Sequence, residues 1–134
     1  MKKLGVLFGM GNPLLDISAN VDDAFLMKYD LKLDTAILAE EKHQSLYQDM
    51  IETYKDNVQY IAGGATQNSM RVAQWMLKHL QPEKYGPNSV AFMGCVGPND
   101  EYGNVLEQCA TKDGVFVHYM KETTKNTPTG TCAA

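Results

Sequence analysis

Leu4-Gly5-Val6-Leu7-Phe8-Gly9-Met10-Gly11-Asn12-Pro13-Leu14-Leu15-Asp16-Ile17-Ser18-Ala19 sets two strands in succession with no room for a helix between them. Residues 4–9 form a short apolar run ended by glycine, the pattern of a buried strand. A Gly-x-Gly follows, which raises the dinucleotide-binding fingerprint. That fingerprint wants a third small residue where Leu14 stands and a helix opening there. Pro13 and the apolar–polar alternation of residues 14–19 supply neither. The plainer reading is a tight turn joining two strands. In the functional reading, Asp16 points from the second strand into a cleft. There its two oxygens accept hydrogen bonds from a vicinal diol, each charge-assisted bond contributing about 1.5–3 kcal/mol. Asn12 beside it offers both donor and acceptor.

Working outward, Asp22 caps a short helix reaching Lys28. Residues 37–39 read as a small edge strand. Residues 40–55 are helical, with Leu46, Tyr47, Met50, Ile51 and Tyr54 on one face. Tyr60-Ile61-Ala62 leads into Gly63-Gly64, and a second helix runs from about residue 66 to 80 with a stripe of Ala73, Met76, Leu77 and Leu80. Pro82, Gly86 and Pro87 mark a surface loop. A strand at 89–96, a turn-rich loop at 97–103, a helix to about 111 and strands at 115–119 and 129–134 complete the chain. Alternating strands and helices predict an α/β fold. The short strands at 14–19, 37–39, 115–119 and 130–134 are expected to form a second, smaller sheet.

Two further places invite a ligand. Gly63-Gly64-Ala65-Thr66-Gln67-Asn68 sets two glycines before a helix, where backbone can approach a ligand closely and the helix start offers its N–H groups. Asn68 lies near the first turn. The plainer reading is a helix start with flexible glycines, and no Gly-Lys-Ser/Thr makes it a Walker loop. The other place is Gly94-Cys95-Val96-Gly97 with Asp100 and Gly103, at the C-terminal end of a strand. There the plainer reading, favoured, is a strand-to-helix connection capped by Asp100.

Composition narrows the classes. Hydrophobic residues are 44% and charged residues 21% of 134, with a net charge of −4. One domain of this length buries roughly two-thirds of its unfolded surface, and the apolar content is too high for disorder. No apolar run nears the ~20 residues of a membrane helix. Twelve basic residues are scattered among 16 acidic ones, with only Lys2-Lys3 adjacent. This argues against nucleic acid and against an anionic membrane as partners. Cys95, Cys109 and Cys132 are too few and too widely spaced for a disulfide framework, and His43, His79 and His118 are isolated, so no metal site is expected. The apolar N-terminus is too quickly followed by Gly11, Asn12, Pro13 and Asp16 to be a signal peptide. No Asn-x-Ser/Thr sequon occurs. The expected location is the cytoplasm, with the nucleus also open. No nucleophile elbow, zinc-protease motif or EF-hand loop is present.

Taken together, the motifs resemble the N-terminal part of the adenosine-phosphorylating members of the ribokinase-like (PfkB) carbohydrate kinase family. The residues that carry this are Phe8 to Ser18 (Phe-Gly-Met-Gly-Asn-Pro-Leu-Leu-Asp-Ile-Ser), Leu38-Ala39-Glu40, Ala62-Gly63-Gly64-Ala65-Thr66-Gln67-Asn68-Ser69, Val72-Ala73-Gln74-Trp75 and Pro128-Thr129-Gly130-Thr131-Cys132-Ala133-Ala134. Ala65 stands where the family often has serine, and the 97–103 loop is one residue longer than the usual Gly-x-Asp-x-x-Gly. The resemblance implies a three-layer α/β core with a small β-sheet lid, both incomplete in this chain. It implies transfer of the γ-phosphoryl of ATP, with Mg2+, to the 5′-hydroxyl of adenosine, giving AMP in purine salvage by a monomeric enzyme. Asp16, Asn12, Gly64 and Asn68 would hold the ribose hydroxyls, with Gly63 allowing close approach. Leu14, Leu38, Ala65 and Cys132 would line the nucleoside pocket. The family's catalytic Gly-Ala-Gly-Asp does not occur in these residues. No catalytic residue is therefore expected, and the chain is expected to be the first part of a larger kinase domain, inactive alone. The alternatives are an inactive adenosine-binding module and a ribokinase-like kinase for another sugar or nucleoside.

Overall fold

The computed structural model describes residues 5–33, 35–98, 100–121, 123–125 and 127–134. Leu4 of the first strand, the Lys2-Lys3 pair, Asn99 of the 97–103 loop and Asn126 lie outside the described residues. In chain order the elements are β1 Leu7–Met10, β2 Leu14–Ser18, α1 Asp23–Lys28, α2 Leu46–Thr53, β3 Gln59–Gly63, α3 Ala65–Leu80, β4 Val90–Val96, α4 Glu101–Lys112, β5 Phe116–Lys121 and β6 Thr131–Ala133. The chain divides into two compact units, Met1–Asp16 with Tyr60–Cys132, and Ile17–Gln59 with Ala133–Ala134.

The first unit is built on a parallel sheet in the order β1-β4-β5. Leu7 faces Val90 and Met10 faces Met93, while Ala91 faces Phe116 and Val96 faces Lys121. Parallel neighbours need a long crossover, and helices α3 and α4 supply the two. The alternation in β4 is plain: Val90, Phe92 and Val96 are buried, and Ala91, Met93 and Cys95 take the other face. Met70 of α3 joins Val90, Phe92 and Val115 in the core, with Ala73, Leu77, Val117 and Tyr119 packed against them. Each fully buried side chain of this size contributes about 1.5–3 kcal/mol.

Three expectations change here. First, only half of the Ala73, Met76, Leu77, Leu80 stripe of α3 meets the core: Ala73 and Leu77 pack against it. Met76 and Leu80 are exposed, whereas Gln67, Met70 and Gln74 are buried. The glutamines lie inside because each amide is bonded at both its nitrogen and its oxygen. Gln74 accepts from the Val90 amide at 3.0 Å and donates to the Gly86 carbonyl at 2.9 Å. Gln67 donates to the Gly63 carbonyl at 3.1 Å and accepts from the Tyr119 hydroxyl. Second, residues 116–121 belong to the main sheet and not to a smaller one, because α4 returns the chain parallel to β4. Third, residues 37–39 form no strand. Ile37 is 55% and Leu38 91% exposed, so neither burial nor pairing extends this run. The smaller sheet has the order β3-β2-β6, and β3 is its additional strand.

In the second unit, Asp22 caps α1 as expected, its carboxylate accepting from the Phe25 amide at 2.8 Å. The expected helix over 40–55 is divided into a 3-10 turn, Glu41–His43, and α2. His43 accounts for the break. Its Nδ1 accepts from the Glu40 amide at 2.9 Å, and Nε2 bonds the Tyr29 carbonyl at 3.1 Å. Phe25, Tyr29, Leu46 and Met50 are buried, and Tyr54 meets Phe25 edge-on at 5.4 Å.

Candidate functional site

Asp16 occupies the middle of β2. Leu15 and Ile17 on either side are fully buried, so strand alternation turns Leu14 and Asp16 to the opposite, half-buried face. Partial burial pushes the Asp16 carboxyl above the usual carboxylate range, and the Arg71 guanidinium opposes the rise.

The glycine pair explains why that carboxylate has space. It lies directly against Gly63, where any side-chain carbon would overlap it. Gly64 has φ of +95°, a backbone region that side chains disfavour, and a Cβ there would meet the Asn12 carbonyl oxygen at 2.6 Å. Gly64 also opens α3, whose first bond runs from the Asn68 amide to the Gly64 carbonyl at 2.8 Å. Two adjacent glycines thus bring together the Asn12-Pro13-Leu14 backbone, the Asp16 side chain and the start of a long helix.

The Gly-x-Gly of the first stretch serves the same assembly. A side chain at Gly9 would meet the Met70 sulfur at 2.8 Å, and one at Gly11 would meet the Thr66 hydroxyl at 2.9 Å. These glycines let α3 cross close over the end of β1. A dinucleotide turn would need a helix after Gly11, where β2 stands.

Cys132 on β6 is half-buried. Burial raises its thiol pKa, and the nearby Asp16 raises it further. Leu14 is half-buried next to Gly130, and the Leu15 amide donates to the Gly130 carbonyl at 2.9 Å. Asn12, Ala65 and Asn68 are exposed. Leu38 belongs to the second compact unit and is exposed. Of the expected residues, Asn12, Leu14, Asp16, Gly63, Gly64, Ala65, Asn68 and Cys132 all lie in the first unit, with Asp16 in contact with Gly63 and Asn12 in contact with Gly64.

Arg71 was not singled out in the sequence. Its Nη1 donates to Asn68 Oδ1 at 2.9 Å and to the Ala62 carbonyl, and its Nε pairs with Asp113. The available signal was spacing, since positions three apart share a helix face.

The third stretch is a structural joint, as its plainer reading has it. Asp100 caps α4 by accepting from the Gly103 amide at 2.7 Å, and it also accepts from the Thr129 amide and hydroxyl at 2.6 and 2.8 Å. Burial favours the neutral acid, but these donors outweigh it and hold the carboxyl below its usual range. Among the described residues, no three His, Cys, Asp or Glu gather as metal ligands, and no helix is long and apolar enough to cross a membrane.

Chemically, the arrangement offers an acceptor-only carboxylate, a side-chain amide and a helix start around glycines that let a ligand come close. That set suits adjacent hydroxyl groups.

Comparison with known proteins points the same way. The family model for pfkB family carbohydrate kinase matches residues 23–134. Adenosine kinase 2 of Arabidopsis thaliana is 55% identical over 128 residues, covering 96% of this chain and 34% of that protein. The crystal structure of Anopheles gambiae adenosine kinase with P1,P4-di(adenosine-5) tetraphosphate is 52% identical, with a TM-score of 0.74, over 97% of this chain and 37% of that one. Adenosine kinase from Schistosoma mansoni in complex with adenosine and AMP is 36% identical, with a TM-score of 0.72, over 97% of this chain and 36% of that one. The chain spans about a third of the length of the curated relatives it matches.

Proposed function

The chain belongs to the pfkB family of carbohydrate kinases, and from that premise we propose that it is the nucleoside-binding part of an adenosine kinase. The reaction is transfer of the γ-phosphoryl of ATP to the 5′-hydroxyl of adenosine, giving AMP and ADP, in the cytoplasm or nucleus. The observation that carries the reading is the Asp16 carboxylate seated on Gly63, in the same compact unit as Asn68 and the start of α3. Asp16 accepts hydrogen bonds from the ribose diol, and Asn12, Gly64 and Asn68 complete the hydroxyl contacts. Gly63 allows the close approach, and Leu14, Ala65 and Cys132 face the rest of the nucleoside. The identity of the kinase relatives, at 52–55% over nearly the whole chain, favours adenosine over another sugar.

Phosphoryl transfer also needs a base at the attacking hydroxyl and a metal on the phosphates. Magnesium would neutralise the phosphate charge when bound. Asp16 is committed to the diol. The Gly-Ala-Gly-Asp that supplies the base in the family is absent from the 134 residues, and on this reading they hold the nucleoside and do not turn it over.

Calorimetric titration with adenosine tests this. Weak binding that disappears in Asp16→Ala is the expected result; binding unaffected by that substitution, or absent in the wild type, counts against the reading. AMP formation by the purified chain from adenosine, ATP and Mg2+ would refute the inactivity.

A further inference from the structure

Arginine is a donor-only side chain: the guanidinium carries five N–H groups and no acceptor. The atom of Asn68 that faces Arg71 at 2.9 Å must therefore be the carbonyl oxygen, Oδ1. That contact fixes an orientation which a free asparagine does not have. With Oδ1 turned to Arg71, Nδ2 and its two donors point the other way.

Arg71 is itself held from two further sides. Nη1 also donates to the Ala62 carbonyl, immediately before the Gly63-Gly64 pair, and Nε pairs with Asp113 at the end of α4. The side chain is only 25% exposed, so the guanidinium is part of the joint between β3, α3 and α4.

We propose that Arg71 is a positioning residue for ribose recognition, one that sets Asn68 as a hydrogen-bond donor opposite the acceptor Asp16. This deepens the nucleoside-binding reading and rests on it. The consequence is a polarity in the site. A ribose hydroxyl donates its proton to the Asp16 carboxylate, and a hydroxyl oxygen accepts from Asn68 Nδ2. An unoriented amide would present either end and lose half of that match. The electrostatic influence of Arg71 on Asp16 acts in the same sense, keeping the acceptor charged against its burial.

The test uses the chain as it stands, with two readouts. One is the Asn68 side-chain amide pair in a 1H–15N spectrum, assigned by its loss in Asn68→Asp. The other is the ratio of affinities for adenosine and 2′,3′-dideoxyadenosine, which lacks the diol. In Arg71→Met, the Asn68 pair is expected to move towards the position of a free asparagine. Adenosine binding is expected to weaken by up to about tenfold, the size of one lost neutral hydrogen bond. Binding of the dideoxy compound is expected to change little, so the ratio collapses. A merely structural role would weaken both ligands alike.

Arg71→Lys keeps the charge but lacks the planar fork whose Nε and Nη1 reach partners on different sides, so an intermediate ratio is expected. Asp113→Asn loosens Arg71 from outside the site and should move the Asn68 pair in the same direction, by less. These two variants carry the test if Arg71→Met does not fold. An Asn68 pair that stays in place in the folded variants, or a wild-type affinity ratio in them, overturns the proposal. Absence of adenosine binding in the wild type would instead overturn the nucleoside reading, while the amide readout still decides whether Arg71 orients Asn68.

Discussion

Asp16 is held against its own preference for water. Its folded pKa lies above the ordinary carboxylate value, chiefly through burial. A raised folded pKa gives stability that is present in full below the unfolded value and is lost as pH rises through the folded one. At neutral pH the charged carboxylate thus works against folding, and it is retained for what it binds. Asp16→Asn removes the charge and keeps the shape. Its urea midpoint at pH 7 is expected to exceed that of the wild type, and the gap should close below about pH 4, where both side chains are neutral. Adenosine binding should be lost in the same variant. A lower midpoint at pH 7 would contradict the electrostatic argument. Gly64 shows the opposite balance, because its backbone is the constraint. At φ of +95°, with the Asn12 oxygen 2.6 Å from any Cβ, Gly64→Ala is expected to destabilise the fold by about 1–3 kcal/mol, read in the same denaturation experiment.

At the scale of elements, the joint at Asp100 supports the arrangement around it. One carboxylate caps α4 and also takes the Thr129 amide and hydroxyl, tying the approach to β6 to the end of β4. Its pKa is lowered in the folded chain, although burial alone would raise it. The corresponding stability is present above the unfolded value and is lost as pH falls through the folded one. Asp100→Ala is expected to lower stability by about 0.5–2 kcal/mol at pH 7 from the cap alone. It should also flatten the acid limb of the stability profile, and an unchanged acid limb would mean that the joint carries no linkage. Asp100 was legible as a cap because Asp before a helical run is a local signal, as Asp22 was for α1. The strand at 14–18 was legible for a similar reason, since apolar–polar alternation records two environments in one short segment. The buried face of α3 was not, because Gln67 and Gln74 are polar by type and become core residues only through distant partners, Tyr119, Gly86 and Val90. The strand expected at 115–119 in the smaller sheet lies instead beside β4, since sheet membership is set by the crossover and not by the strand's own residues. In the site, Asp16 and the glycine pair were readable from residue type and spacing. Arg71 was hidden because its role lies in three partners that converge only in the folded chain.

For the molecule as a whole, the parallel sheet leaves one face apolar and open. Register places Phe8 and Met10 of β1, Ala91, Met93 and Cys95 of β4, and Phe116, His118 and Met120 of β5 on the same side. Phe8, Met10, Phe116 and Met120 are 59%, 69%, 55% and 60% exposed, so the openness runs across the sheet and is not confined to one edge. β1 and β5 are also its outer strands, whose free backbone groups can pair with another chain. A contiguous apolar surface of this kind adsorbs hydrophobic dyes and promotes association. The purified chain is therefore expected to enhance the fluorescence of an anilinonaphthalene dye and to sediment faster as its concentration rises. Met10→Lys combined with Phe116→Lys places two charges on that face. Because neither native side chain is buried, the double variant should keep the wild-type unfolding midpoint while losing most of the dye signal and the concentration dependence. Dye binding that persists in the folded double variant would place the apolar surface elsewhere, with the exposed Val72 and Trp75 of α3 the next positions to charge.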